Sequence, residues 1–273
     1  MCLIGLQRVY QRVVCRNLKK HEMIIWFNAL FSVFVVSLIS LAGIVFISMK
    51  PVRLQGIIFI LVSFAIGGLF GDCFFHLLPA AYVKIRNPSK ISFFIILGIL
   101  AFFILEKFLL WRHDHHIQDD KNNKIKPLGY ISLVADSVHN LFDGVLIGSS
   151  YLVSFKIGLA TTVAVIMHEI PHEIGNFGVL VHSGFTIKRA LLLNFMTACT
   201  AIFGTVCALI FGEMSGEFTN LILPFAGGGF IYLAGSDLVP ELKKSNSLVS
   251  SLVQFLIIIC GLSLLYLFTF LEN

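Results

Sequence analysis

Residues 139–144 read His139-Asn140-Leu141-Phe142-Asp143-Gly144, and residues 168–173 read His168-Glu169-Ile170-Pro171-His172-Glu173. Each stretch lies inside a long apolar run, one around 128–155 and the other around 157–182, and both runs are long enough to cross the hydrocarbon core of a bilayer. An ionisable side chain at the bilayer centre costs at least ~2.5–3.5 kcal/mol on insertion scales, so such residues are candidates for function by default. Here six of them and one asparagine fall in two neighbouring spans, and all seven are of types that bind divalent metal ions. The combination points to a metal-ion pathway through a membrane.

The rest of the chain fits that reading. Of 273 residues, 57% are hydrophobic and only 13% charged, against roughly 25% charged in a soluble domain. Six further apolar runs, around 24–49, 54–82, 91–111, 190–212, 218–240 and 247–271, bring the expected count to eight transmembrane helices. Eight such runs leave too little polar surface to cover a soluble core. The expected class is therefore an all-α, multi-pass integral membrane protein, read as a single transporter domain over 1–273 embedded in a lipid bilayer. Which membrane holds it is not written in these residues.

The net charge of +5 does not call for nucleic acid, because the basic residues gather between spans. No GxxxxGK[ST] loop is present, so nothing suggests ATP-driven pumping. Four of the six cysteines, Cys73, Cys199, Cys207 and Cys260, sit inside apolar runs without a CxxC pair, as small packing residues. With eight spans both termini share a side, and the distribution of Lys and Arg favours an outside N-terminus. The basic tail 1–22, with Arg8, Arg12, Arg16, Lys19 and Lys20, dissents, and a translation start at Met23 would remove the conflict. The polar loop 112–127 carries His113, His115 and His116 among acids and lysines; it reads as a solvated connection or a weak metal-collecting tract.

A faint internal symmetry joins the second span, ending Gly71-Asp72-Cys73-Phe74-Phe75-His76-Leu77-Leu78-Pro79, to the seventh, ending Gly235-Ser236-Asp237-Leu238-Val239-Pro240. Matched segments that break at proline are what an inverted-repeat transporter shows.

Within a helix, residues four apart share a face. His139 and Asp143 therefore form one stripe with Asn140 beside it; His168 and His172 form another, with Glu169 and Glu173 on its neighbour. Imidazole nitrogen with carboxylate oxygen suits Zn²⁺, Fe²⁺, Mn²⁺ and similar ions, and the absence of thiolates argues against selectivity for Cu(I). Asp136, one turn before His139, reads as an orienting or pathway residue. Pro171 deletes one helical hydrogen bond and predicts a kink over a wet cavity. Gly144, Gly148, Gly175 and Gly178 read as packing seams.

Together HNLFDG, HEIPHEIGNF and the DxxxHLLP pattern at Asp72–Pro79 resemble the ZIP (Zrt/Irt-like) zinc and iron transporter family, nearest its branch with HEIPHE in the fifth helix. The resemblance implies a 3+2+3 inverted-repeat arrangement with the metal sites between helices four and five, and a secondary transporter, not an enzyme, that carries a divalent metal, zinc foremost and Fe²⁺, Mn²⁺ or Cd²⁺ as further cargo, toward the cytoplasm by alternating access. It implies a first metal site at His139, Asp143, His168 and His172, a second at Asn140 and Glu169, and pathway roles for Asp72 and His76 near the entrance. Glu173 and Asp136 join these as pathway residues, and a homodimer is a compatible assembly. Asn176 departs from the branch, which has Asp there.

Two other readings use the same residues. HEIPH satisfies HExxH, the zinc-protease helix motif, with Glu169 as general base and His168 and His172 as ligands. Alternatively, intramembrane metal could serve as structural glue in a receptor or scaffold.

Overall fold

The computed structural model describes residues 22–42, 49, 51–115, 127–242 and 247–270. Most of the basic tail and residues 116–126 of the polar loop lie outside the described residues, and with them the expectations placed there. Among the described residues the secondary structure is helical, without strands. The helices are α1 (Glu22–Ala42), α2 (Pro51–Asp72), α3 (Leu78–Lys84), α4 (Pro88–His115), α5 (Pro127–Val153), α6 (Phe155–His182), α7 (Ile187–Ala198), α8 (Thr200–Met214), α9 (Gly216–Tyr232), α10 (Val239–Leu242) and α11 (Leu248–Phe268).

These make eight rods, as the apolar runs predict, because three pairs are nearly continuous. A π-helical turn at Cys73–Leu77 joins α2 to α3, and another at Leu233–Leu238 joins α9 to α10. Each turn ends just ahead of a proline, Pro79 or Pro240, whose missing N–H breaks the hydrogen-bond ladder and lets its register slip. The third break, at Cys199, separates α7 from α8. There the hydroxyl oxygens of Thr197 and Thr200 lie 2.7 Å from the carbonyls of Asn194 and Thr197, a local competition for their protons that bends helices. The expected polar loop is shorter than 112–127, since α4 continues to His115.

Contacts at the rod ends fix an up-and-down path. At one end Lys90 Nζ meets Glu217 Oε1 at 2.8 Å, and Lys156 Nζ donates to the Thr269 carbonyl at 2.7 Å. At the other end Tyr130 packs edge-on against Phe185, and Gln254 donates to the Leu242 carbonyl at 3.0 Å. Among the described residues six helices are long and apolar enough to cross a membrane: Glu22–Ala42, Arg53–Lys84, Pro88–Leu105, Ile187–Gly212, Glu217–Ser236 and Leu248–Phe268. The two rods outside this set, α5 and α6, are 27 and 28 residues long. What sets them apart is the polar cluster they carry.

Packing follows the internal symmetry. The second rod pairs with the eighth and the seventh with the third, each through glycine. A Cβ on Gly67 would lie 2.3 Å from the Ile258 carbonyl, and one on Gly228 would lie 2.1 Å from that of Ile95. Backbones this close are what small residues permit between helices in lipid. A third seam joins α5 to α8, where a Cβ on Gly144 would sit 1.8 Å from the Ala201 oxygen. Gly144 and Gly148 are packing residues as expected. Gly175 and Gly178 are not, since a Cβ on either would meet nothing within 4 Å.

Side-chain hydrogen bonds tie a second set of rods together. Ser32 pairs with Tyr151 at 2.8 Å, Ser37 donates to the Ala198 carbonyl at 3.0 Å, Thr200 to that of Ser137 at 2.7 Å and Thr205 to that of Gly144 at 2.9 Å. These bonds link α1, α5, α7 and α8.

Candidate metal centre

About midway along α5 and α6, four side chains converge. The ligand atoms of His139, Asp143, His168 and Glu169 all lie within 4.8 Å of one another, and all four residues are buried. His168 Nε2 is 3.1 Å from Asp143 Oδ2 and 3.6 Å from Glu169 Oε1; His139 Nε2 is 3.2 Å from Glu169 Oε1 and 3.8 Å from Asp143 Oδ2. Donors bound about 2.0–2.2 Å from a tetrahedral zinc stand roughly 3.3–3.5 Å apart, so this spacing suits one ion. The helical period produces half of the geometry, because i and i+4 place His139 above Asp143 on one face. The facing of α5 and α6 produces the rest.

Tautomer and charge agree with cation binding. His168 Nδ1 lies 3.1 Å from the Ala164 carbonyl. A carbonyl only accepts, so Nδ1 carries the proton and Nε2 keeps its lone pair for an ion. Asp143 and Glu169 together offset a double positive charge in a low-dielectric interior. His139 Nε2, His168 Nε2, Glu169 Oε1 and both oxygens of Asp143 are buried without a hydrogen-bond partner. Buried polar atoms are nearly always paired in folded proteins, so lone pairs concentrated at one point call for a ligand.

The other expected residues surround this group. His172 lies beyond it toward the His182 end, with Nδ1 3.8 Å from Glu169 Oε1 and 3.7 Å from Asp136 Oδ1, and its side chain is 37% exposed. Its ring stacks on that of His139 with centroids 4.4 Å apart. In the tight group Glu169 therefore stands where the stripe argument puts His172. Asn140 Nδ2 donates to the carbonyl and Oδ1 of Asp136, both at 3.2 Å, while its own Oδ1 remains unpartnered. Asp136 also accepts from the Thr197 hydroxyl, so it is held from two helices. Glu173 accepts from Asn194 Nδ2, which also donates to the Ser40 carbonyl at 3.2 Å.

Asn176 accepts from Ser132 at 2.8 Å. Asp72 and His76 are apart from the tetrad, paired at 3.4 Å on the π turn after α2, with Thr161 donating to Asp72 Oδ2 at 2.8 Å. Helix α6 runs unbroken through Pro171 from Phe155 to His182.

Sequence reading passed over Thr161, Asn194 and Thr197. Asn194 and Thr197 stand three apart in a run without charge, which puts both on one face of α7. That polar pair was a legible signal. The protease reading fails on geometry: HExxH needs both histidines on one ion, whereas His172 is outside the group that closes around His168.

A sequence profile of the ZIP zinc transporter family matches residues 23–127 and 111–269. Zinc transporter ZIP13 of Pongo abelii is 35% identical over 224 residues, covering 77% of this chain and 66% of that protein. Zinc transporter ZIP13 of Homo sapiens is 30% identical over 259 residues, covering 77% and 70%. Zinc transporter YKE4 of Saccharomyces cerevisiae is 27% identical over 279 residues, covering 91% and 80%. The chain spans just under two thirds of the length of the first of these.

Proposed function

Because the chain belongs to the ZIP zinc transporter family, we propose that it carries zinc across a membrane through the group formed by His139, Asp143, His168 and Glu169. The single observation behind this reading is that the ligand atoms of these four buried residues gather within 4.8 Å at the middle of α5 and α6. Zn²⁺ loses its water to two imidazoles and two carboxylates there. His172, Asn140 and Asp136 then receive it on the side toward His182. Fe²⁺, Mn²⁺ and Cd²⁺ share the ligand preferences and are further candidate cargo.

The ion moves toward the cytoplasm by alternating access, with 1–273 acting as one transmembrane unit. A potential negative inside supplies about 2.3 kcal/mol per charge per 100 mV, roughly twice that for a dication, so no ATP is required. Asp72 and His76 handle the ion on the opposite side of the tetrad. A second copy of the chain, forming a homodimer, is the remaining partner; its mass in detergent solution tests it.

The test is zinc flux into proteoliposomes reconstituted with the full chain and loaded with a zinc-sensitive dye. Flux above that of empty liposomes, competed by Cd²⁺, supports the reading; flux equal to that of empty liposomes rejects it.

A further inference from the structure

Thr161 and Asp72 are both fully buried, and the Thr161 hydroxyl donates to Asp72 Oδ2 at 2.8 Å. The bond joins α6 to α2. It therefore crosses between the rods that α1, α5, α7 and α8 knit together with the metal site and the rods held by the glycine seams of α2, α4, α9 and α11. Thr161 lies two turns from His168 toward the Phe155 end, about 10 Å along the helix axis.

The two ends of α6 differ in how tightly they are covered. Next to His168 a Cβ on Gly68 would meet Met167 Sδ at 2.8 Å, and beyond Thr161 one on Gly158 would meet the Tyr151 ring at 2.4 Å. Past the metal site the side chain of His172 is 37% exposed, and Gly175 and Gly178 border open space. On the alternating-access reading, this asymmetry corresponds to a state shut on the Phe155 side and open on the His182 side.

We infer that Thr161 is the lock of this conformation: its hydroxyl caps the Asp72 carboxylate and holds α6 against α2, so the opposite access state forms only when that bond breaks. The inference rests on the alternating-access reading above. If α6 moves relative to α2, Asp72 Oδ2 loses its donor in a buried seam, a loss that disfavours the other state until water or a cation reaches the carboxylate. The π turn that begins at Cys73, directly after Asp72, marks where α2 departs from regular helix, a common property of functional segments. His76 Nδ1, 3.4 Å from Asp72 Oδ1, stands beside the carboxylate as Thr161 leaves it.

Thr161→Val keeps the shape and β-branching of threonine and deletes the donor; Thr161→Ser keeps the donor. The full chain is reconstituted in liposomes of known sidedness, and zinc flux is measured with the gradient imposed in each direction. Losing a contact made in one access state alone moves the two apparent affinities oppositely. In Thr161→Val, the KM for zinc offered from the Phe155 side falls about five- to tenfold while that from the His182 side rises. Thr161→Ser matches wild type from both sides.

The lock is overturned if both KM values move together in Thr161→Val, if neither moves, or if the serine variant fails to restore them. A lower thermal midpoint with both KM values unchanged overturns it as well. His168→Ala, run alongside, separates the two readings: flux retained in that variant rejects the metal site, whereas the Thr161 variants test the lock alone.

Discussion

His168 Nε2 lies 3.1 Å from Asp143 Oδ2 across the boundary between α6 and α5, while Nδ1 of the same ring lies 3.1 Å from the Ala164 carbonyl. One histidine thus fixes its own tautomer within its helix and presents a lone pair to the neighbouring one. Removing either side of that contact removes a ligand of the proposed zinc site. His168→Ala and Asp143→Ala are each expected to reduce zinc flux to under about a tenth of wild type, since even orienting partners are worth 10–100-fold in metal affinity. Equal amounts of both variants in the membrane fraction are expected, and near-normal flux in both would reject the assignment.

Asp136, beyond its proposed contact with the ion, is tied to its neighbours. It receives bonds from Asn140 and Thr197 and faces His172 at 3.7 Å. Asp136→Ala is expected to raise the KM for zinc about tenfold, with Thr197→Val producing a smaller change in the same direction. Opposite shifts in the two variants would break the proposed link.

Glycine positions separate packing from open space. Gly144→Ala drives a methyl group into the Ala201 carbonyl and is expected to cost about 1–3 kcal/mol, read as a thermal midpoint lower by several degrees. Gly178→Ala meets nothing within 4 Å and is expected to stabilise by about 0.5–1 kcal/mol, the usual gain from alanine in a helix interior. Detergent-solution melting curves check both signs.

Tyr151 pairs with Ser32 at 2.8 Å in a buried contact between α5 and α1. Tyr151→Phe deletes the hydroxyl and leaves Ser32 unpaired. It is expected to cost about 1 kcal/mol without altering the KM for zinc. A large KM change would place this pair on the transport path.

Much of this was legible in the residues. Runs of apolar side chains announced eight rods, and the four-residue spacing of His139 with Asp143 announced a shared face. The prolines at 79 and 240 announced two matched breaks, which the structure realises as π turns. Which carboxylate or imidazole closes the group was not legible, because that depends on the rotation of α6 against α5. That rotation brings Glu169 in and leaves His172 on the open side. Asn194 and Thr197 were visible as a polar pair, but their partners Glu173 and Asp136 lie on other helices and follow only from packing. Gly175 and Gly178 look in sequence like the Gly144–Gly148 seam. Only the absence of a neighbour distinguishes them.

X-ray absorption at the zinc edge on the loaded, purified chain reads the ligand shell itself. Binding at His139, Asp143, His168 and Glu169 gives a shell of nitrogen and oxygen at about 2.0–2.1 Å with an outer-shell imidazole signal that drops in His139→Ala and again in His139→Ala/His168→Ala. A sulfur shell near 2.3 Å, or an imidazole signal unchanged by both substitutions, would contradict it.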